Sequence, residues 1–157
     1  MLRIRIIVVD RTRAAFLREG ESFYLQRLRK YVAVEWDAVR TSRIAKGRDE
    51  REILKAEGEA LGRKIAPKEY LVALDRAGDL LGSEQLARLL EHLGRQAIGG
   101  VCFAIGGPLG LSKNVLERAQ KVLSLSRLTL THEMSRLVLL EQLYRAMTIL
   151  KGEKYHK

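Results

Sequence analysis

The sequence is poor in cysteine and proline and has no long hydrophobic run: its 157 residues include one cysteine and two prolines. A single thiol, Cys102, excludes an internal disulfide, and nothing in the composition indicates an oxidising compartment. No stretch approaches the roughly 20 uninterrupted apolar residues of a membrane-spanning helix. The first strand-like run lacks a signal-peptide cleavage site. With no repeats or proline-rich linkers either, we expect one cytoplasmic domain over residues 1–157.

Common cofactor and metal motifs are also missing. No set of His, Cys, Asp or Glu has the spacing of metal ligands, so we expect no metal site. The glycine-rich stretch at 106–110 is neither the Gly-x-Gly-x-x-Gly of dinucleotide sites nor a P-loop with its lysine. A dinucleotide or a triphosphate is therefore not indicated as a ligand.

Basic residues are in excess: 29 Lys and Arg stand against 19 Asp and Glu, a formal net charge of +10. This excess favours a polyanionic partner, because each phosphate that Lys or Arg neutralises releases condensed counterions. We therefore expect the protein to bind nucleic acid. The candidates for phosphate contacts are Arg3, Arg5, Arg11, Arg13 and the loop that carries Arg43 and Lys46.

Strand-like runs alternate with helical periodicity along the chain. The patterns predict strands at 2–9, 31–39, 70–74, 101–105 and 122–130, and helices at 11–30, 49–64, 83–96, 113–121 and 134–150, with Ser83 as a helix N-cap. The central strands are apolar throughout, which predicts an α/β fold with a mainly parallel sheet and helices on both faces. The last helix is apolar on most sides, which favours a homodimer.

Three strand ends are candidate ligand sites, because ligands of open α/β sheets bind at the carboxyl ends of the strands. They are Leu74-Asp75, the turn at 105–108, and the stretch near 125–130. The glycines in the turn at 105–108 allow the backbone to approach a ligand closely. A tight strand-to-helix turn would need the same glycines for its own geometry.

Three segments resemble those of a known family. Residues 105–111 (Ile-Gly-Gly-Pro-Leu-Gly-Leu) resemble the glycine loop of the RlmH family of methyltransferases. Residues 123–132 with 136–146, and the ending 152–157 with its Tyr-His-Lys terminus, resemble the same family. The resemblance covers essentially the whole chain. It departs after the first strand, where Val9-Asp10-Arg11 stands in place of a Val-Gly-Lys turn.

The family resemblance implies a SPOUT-type fold with a C-terminal trefoil knot, although knots are rare exceptions to general topology rules. It implies S-adenosylmethionine as cofactor, and a homodimer in which the tail of one subunit completes the site of the other. The cofactor contacts that it implies are Leu74, Gly106, Leu125, Ser126, Arg127, Leu128, Thr129 and Leu130.

The implied reaction is methylation of N3 of a pseudouridine in 23S rRNA. An imide nitrogen must lose its proton, so a base is useful, and His156 is the first candidate because imidazole titrates near neutral pH. Tyr155 could stack on or hydrogen-bond the base, and Arg145 could stabilise the imide anion. Glu141 is a further candidate, although a simple ion pair with Arg145 explains it equally well. Because one short chain has little surface for reading RNA, we predict the assembled subunit or ribosome as substrate.

Other interpretations, without catalysis or without a role in the site, fit the same residues. A ribosome-associated binding protein without catalysis would explain the charge and the small size, and another nucleotide-binding α/β protein is a third possibility. A Tyr-His-Lys ending is usually a frayed polar tail. His132 could simply cap the helix that follows it.

Overall fold

The computed structural model describes residues 2–41 and 48–157, so the loop with Arg43 and Lys46 lies outside the described residues. The strands are β1 (Arg3–Val9), β2 (Ala33–Val39), β3 (Tyr70–Leu80), β4 (Val101–Ile105) and β5 (Lys121–Ser124). The helices are α1 (Ala15–Leu28), α2 (Glu50–Lys64), α3 (Ser83–Gly94), α4 (Lys113–Arg118) and α5 (His132–Leu150). None of these helices is both long and apolar enough to span a membrane.

The five strands form one sheet in the order β2-β1-β4-β3-β5, and every neighbouring pair is parallel. All five strands therefore end at the same edge, which we call the carboxyl edge. This arrangement confirms the predicted α/β fold with a mainly parallel sheet. The predicted trefoil knot concerns how the chain passes through its own loops, which strand order and register do not define, and it stays a prediction.

Helices cover both faces of the sheet. Alternate residues of β1 point to opposite sides, as the strand period of two requires: Ile4, Ile6 and Val8 join the core that includes α1, α3 and α5, and Ile7 and Val9 join the core with α2 and α4. The second core also contains Cys102, where burial raises the thiol pKa to about 12. The cysteine is therefore a small apolar packing group at neutral pH.

Two strand ends differ from the prediction. The run from Asp75 to Gly78 is not a turn, because β3 continues to Leu80 and pairs with β5 again after a register shift between Leu74 and Asp79. The strand predicted at 122–130 stops at Ser124. The shifted pairing places the backbone of Gly78 directly against β5, where an added Cβ would lie 2.7 Å from the carbonyl of Val122. Such pairing cannot be read from local periodicity.

Two helix starts also differ from the prediction. Ser83 is the first residue of α3 and not its N-cap, and its hydroxyl donates a 2.6 Å hydrogen bond to Gln142 on α5. Thr131, not His132, caps α5: the Thr131 hydroxyl accepts a 3.1 Å hydrogen bond from the backbone N–H of Met134. Ser83 therefore makes a tertiary contact in place of the predicted local one.

Candidate active site

A cavity of about 630 Å³ lies at the carboxyl edge, where β3, β4 and β5 end. Its lining consists of residues 74–76, 105–110, 123–126, 128–132 and Ser135. The three strand ends that the sequence indicated therefore meet around one space. Seven of the eight predicted cofactor contacts line it, and Arg127 does not.

The glycine loop forms one wall of this cavity. A Cβ on Gly106 would lie 2.2 Å from the carbonyl oxygen of Gly110, so no side chain fits there. Gly110 has a φ of 79° and donates a 3.0 Å hydrogen bond to the carbonyl of Gly107. The turn thus requires glycine for its own geometry, and it also brings backbone to the cavity surface.

The segment after β5 forms the opposite wall without regular secondary structure. The Ser124 hydroxyl donates to the carbonyl of Ser126 at 3.0 Å, and the Ser126 hydroxyl accepts from the N–H of Leu128 at 2.9 Å. These bonds hold the backbone in a tight bend. Leu128 is 77% exposed although it lines the cavity, which leaves a large apolar side chain at the cavity mouth.

His132 is a cavity residue that the sequence interpretation did not assign to the site, and Asp75 lines the cavity as part of the predicted strand end Leu74-Asp75. Burial and then the positive charge of Arg136 lower the pKa of His132, so its imidazole is neutral at pH 7. Asp75 accepts a 2.9 Å hydrogen bond from the N–H of Ala77. The sequence signal for His132 was its position just after the predicted cofactor-binding stretch 125–130.

The turn after β1 is built around the buried side chain of Arg136. Its guanidinium donates hydrogen bonds to the carbonyl of Val9, to the carbonyl of Asp10 at 3.0 Å and to the hydroxyl of Thr12 at 2.9 Å. Asp10 has a φ of 58°, in the left-handed region that glycine enters freely and that Asp tolerates better than most residues. The departure from the family's Val-Gly-Lys turn is therefore compatible with this backbone.

The four predicted catalytic residues lie together at the C-terminal end of the chain. Arg145 donates to Glu141 through Nε at 3.1 Å, and the Tyr155 hydroxyl donates to the same carboxylate at 3.0 Å. The Arg145 guanidinium lies 4.7 Å from the centre of the Tyr155 ring, and its Nη1 is 3.4 Å from Nδ1 of His156. The predicted ion pair between Glu141 and Arg145 is confirmed, and it is part of a larger cluster.

The C-terminal tail is fastened to the body of the protein and is not a frayed end. After α5 the chain turns at Gly152, whose φ is 68°, and the N–H of Glu153 donates to the carbonyl of Thr148 at 2.9 Å. The Tyr31 hydroxyl donates to Glu153 at 2.8 Å. The Tyr155 ring packs edge-on against Tyr144, with 4.8 Å between ring centres. These contacts present His156 next to Arg145.

None of these four residues lines the cavity of its own chain among the described residues. The protein therefore has two groups of candidate site residues: a cavity with the character of a ligand pocket, and a polar aromatic cluster on the tail. Catalysis that uses both would require a second chain or a movement of the tail.

Comparison with known proteins decides the family. The profile described as "Predicted SPOUT methyltransferase" matches residues 2–156. The "Ribosomal RNA large subunit methyltransferase H" of Halothermothrix orenii is 39% identical and covers 99% of this chain and 100% of its own. The protein of that name from Desulfovibrio desulfuricans is 41% identical and covers 98% of this chain and 96% of its own. The chain belongs to the RlmH family of SPOUT methyltransferases.

Solved structures of a probable methyltransferase and a probable methylase family protein share the fold with this RlmH-family protein. A probable methyltransferase from Bordetella pertussis superimposes with a TM-score of 0.58 at 16% identity, covering 93% of this chain and 95% of its own. A probable methylase family protein from Haemophilus influenzae gives a TM-score of 0.57 at 14% identity, covering 98% of this chain and 70% of its own. At such identities the likeness concerns the fold alone. The family resemblance predicted from the glycine loop and the C-terminal motifs is confirmed by the profile and the full-length relatives.

Proposed function

We propose that this protein transfers a methyl group from S-adenosylmethionine to N3 of a pseudouridine in 23S rRNA. The observation that carries the proposal is the meeting of Leu74, Gly106 and the segment 125–130, apart from Arg127, around one cavity. The chain is also about as long as relatives named for methylating large-subunit rRNA. We propose further that residues 1–157 act as one knotted SPOUT domain in the cytoplasm, with the assembled ribosome or large subunit as substrate.

The cavity fits S-adenosylmethionine in size and in chemistry. Its volume of about 630 Å³ falls in the range of roughly 300–1,000 Å³ that is common for small-molecule sites. Leucine side chains supply apolar surface for an adenine, and the bends of the glycine loop and of the segment after β5 expose backbone groups for its hydrogen bonds. The lining carries an acid, Asp75, and a cation, Arg76, beside the neutral imidazole of His132, which suits a ligand with charges of both signs.

The cofactor would be held by Leu74, Gly106 and the segment 125–130, and when bound it supplies an electrophilic methyl group. Displacement at a methyl carbon needs alignment more than covalent help, so positioning by the protein contributes much of the rate. Pro108 and the bend at 124–128 restrict the walls of the cavity.

The tail cluster supplies groups that suit removal of the N3 proton and stabilisation of the resulting anion. The His156 imidazole accepts the proton that leaves N3. Arg145, whose pKa is raised by its hydrogen bond to Glu141, stays charged and stabilises the negative imide. Tyr155 stacks on the base, and Glu141 holds both Arg145 and Tyr155 in place.

The cavity and the tail cluster come together in a homodimer, in which the tail of one protomer reaches the cavity of its partner. Two features of the described chain support this arrangement. The tail cluster does not line its own cavity. In addition, Leu128 and Leu150 are large apolar residues that remain exposed, the first on the cavity wall and the second at the end of α5.

The proposed function is tested by methyl transfer from isotopically labelled S-adenosylmethionine to ribosomes that lack the modification. We expect label at N3 of one pseudouridine in the large-subunit RNA, mapped by mass spectrometry. The same assay on naked transcript is expected to give far less label. Absence of label from every rRNA, with protein that binds the cofactor, would overturn the proposed substrate. Equal label on transcript and particle would overturn the proposal that the particle is required.

A further inference from the structure

A second cavity, of about 360 Å³, runs between α2 and α4. Its polar lining side chains are Arg51, Lys55, Glu59, Ser112, Lys113 and Asn114. The two helices approach closely because α2 carries a glycine at its contact with α4: a Cβ on Gly58 would lie 2.3 Å from the Ser112 hydroxyl oxygen. We call this space the α2–α4 groove.

The groove is strongly basic. Three of its lining side chains are cations and one, Glu59, is an acid. Among the described residues Arg51 and Lys55 have no acidic partner, and Lys113 has an exposed one, Glu117, at 3.6 Å. An exposed pair of this kind contributes little to stability. Like charges four residues apart destabilise a helix slightly, so no contact within the described part of the chain explains why Arg51 and Lys55 occur together.

The groove opens at the same carboxyl edge as the active-site cavity. Gly110 lines the cavity and Ser112 lines the groove, so a single residue, Leu111, separates the two spaces along the chain. Arg3 and Arg5, by contrast, begin β1 at the opposite edge. Arg3 pairs with Glu35, and Arg5 binds Glu69 through two contacts of 3.0 Å. Arg3 and Arg5 at this other edge therefore already have protein partners.

We infer that the α2–α4 groove binds the phosphodiester backbone of the RNA substrate, with Arg51, Lys55 and Lys113 contacting phosphates. RNA held there passes along the carboxyl edge beside the cavity, so the groove positions the target nucleotide strand relative to the methyl donor. The groove polar groups Ser112 and Asn114 can donate hydrogen bonds to phosphate or ribose oxygens. This inference rests on the proposed function, because it assigns a binding surface for the same substrate.

The test compares two triple variants that lose equal charge. The groove variant is R51A/K55A/K113A. The control variant is R63A/K68A/R95A, which removes three exposed cations at the ends of α2 and α3 and before β3, near the opposite edge. Binding of each protein to large ribosomal subunits that lack the modification is measured across a series of KCl concentrations. Cofactor affinity is measured in parallel by calorimetry.

We expect the groove variant alone to bind about ten- to a hundredfold more weakly. The slope of log K against log [KCl] should become shallower by roughly 2, because each of the three lost phosphate contacts contributes about 0.7 to that slope. Cofactor affinity stays unchanged. Equal weakening by both triples would overturn the inference, since it would report net charge only, and so would unchanged binding of the groove variant. If the unmodified protein transferred no methyl group, the proposed function would fall, while selective loss of binding in the groove variant would still support the groove.

Discussion

The hydroxyl of Tyr31 donates a 2.8 Å hydrogen bond to the carboxylate of Glu153, three residues before His156. Tyr31 follows α1 and Glu153 follows α5, so the bond ties the C-terminal tail to the start of the chain. The Tyr31 ring also lies 6.1 Å from the ring of Tyr144, against which Tyr155 packs. The position of the tail cluster therefore depends on residues far away in sequence.

The Y31F variant is expected to lower kcat about fivefold with unchanged cofactor affinity. One hydrogen bond contributes about 1 kcal/mol to holding the tail, and that energy corresponds to about a fivefold change in rate. Steady-state methyl transfer and calorimetry measure the two quantities. The control is Y70F, since Tyr70 lies in β3 away from the tail. Equal kcat for Y31F and the unmodified protein would show that this bond does not position the tail.

A second variant, E153Q, is expected to change the titration of a tyrosine. The hydrogen bond to Glu153 raises the pKa of Tyr31 to about 12, because the carboxylate stabilises the protonated phenol. With a neutral amide in its place, the pKa returns toward the ordinary value near 10. Absorbance of the phenolate against pH, compared with the unmodified protein, should show one tyrosine ionising earlier. Identical titration curves would contradict the bond in solution.

Loss of the His156 imidazole is expected to lower kcat by a factor of about 10²–10⁴, the usual contribution of general acid–base catalysis. The variant is H156A, and cofactor affinity should not change because the proposed cofactor contacts are Leu74, Gly106 and residues of 125–130 and do not include His156. The control is H92A, on the exposed side of α3. Full turnover by H156A would mean that another group or solvent accepts the proton.

Mixing two inactive variants is expected to restore about a quarter of the activity. T129W fills part of the cavity from an exposed position and leaves the tail intact, and H156A leaves the cavity intact. In a mixed dimer whose tails cross, one of the two sites combines an intact cavity with an intact tail. Half of the dimers in an equal mixture are mixed, which gives the expected quarter. No recovery after subunit exchange would place cavity and tail of one chain in the same site.

Replacing Glu57 by glutamine is expected to stabilise the protein at pH 8 and not at pH 5. The Glu57 side chain is buried behind the glycine loop, where a Cβ on Gly107 would lie 3.3 Å from its Oε1, and its Oε2 has no hydrogen-bond partner among the described residues. Burial, and then the nearby charge of Asp10, raise its pKa.

The sign of the effect follows from this raised pKa. The folded state holds the Glu57 proton more tightly than the unfolded state does. The stability that the protonated carboxyl contributes is therefore fully present below the ordinary carboxyl pKa, and it is lost as pH rises through the raised pKa. E57Q cannot ionise, so at pH 8 it avoids the cost of a buried carboxylate, and we expect a higher Tm than that of the unmodified protein. Thermal unfolding at both pH values measures the gain. The control is E59Q, an exposed neighbour on α2, and an equal shift of E57Q at pH 5 and pH 8 would contradict the explanation.

The sequence by itself determined the class of fold, the family and the three strand ends that line the cavity. Apolar strands alternating with amphipathic helices permit few arrangements other than a covered parallel sheet. The glycine loop and the segment after β5 are contiguous motifs, so their positions at strand ends followed from local order. These features depend on residues close together in the chain, and that is why they could be predicted.

Only the tertiary structure decided which distant residues meet. The extension of β3 past Leu74 depends on pairing with β5, and the attachment of the tail depends on Tyr31. The burial of Glu57 behind Gly107 and the groove beside Gly58 arise where α2 packs against the glycine loop and α4. Local periodicity carries no information about such contacts, because their energy comes from packing and desolvation between segments that the chain brings together only on folding.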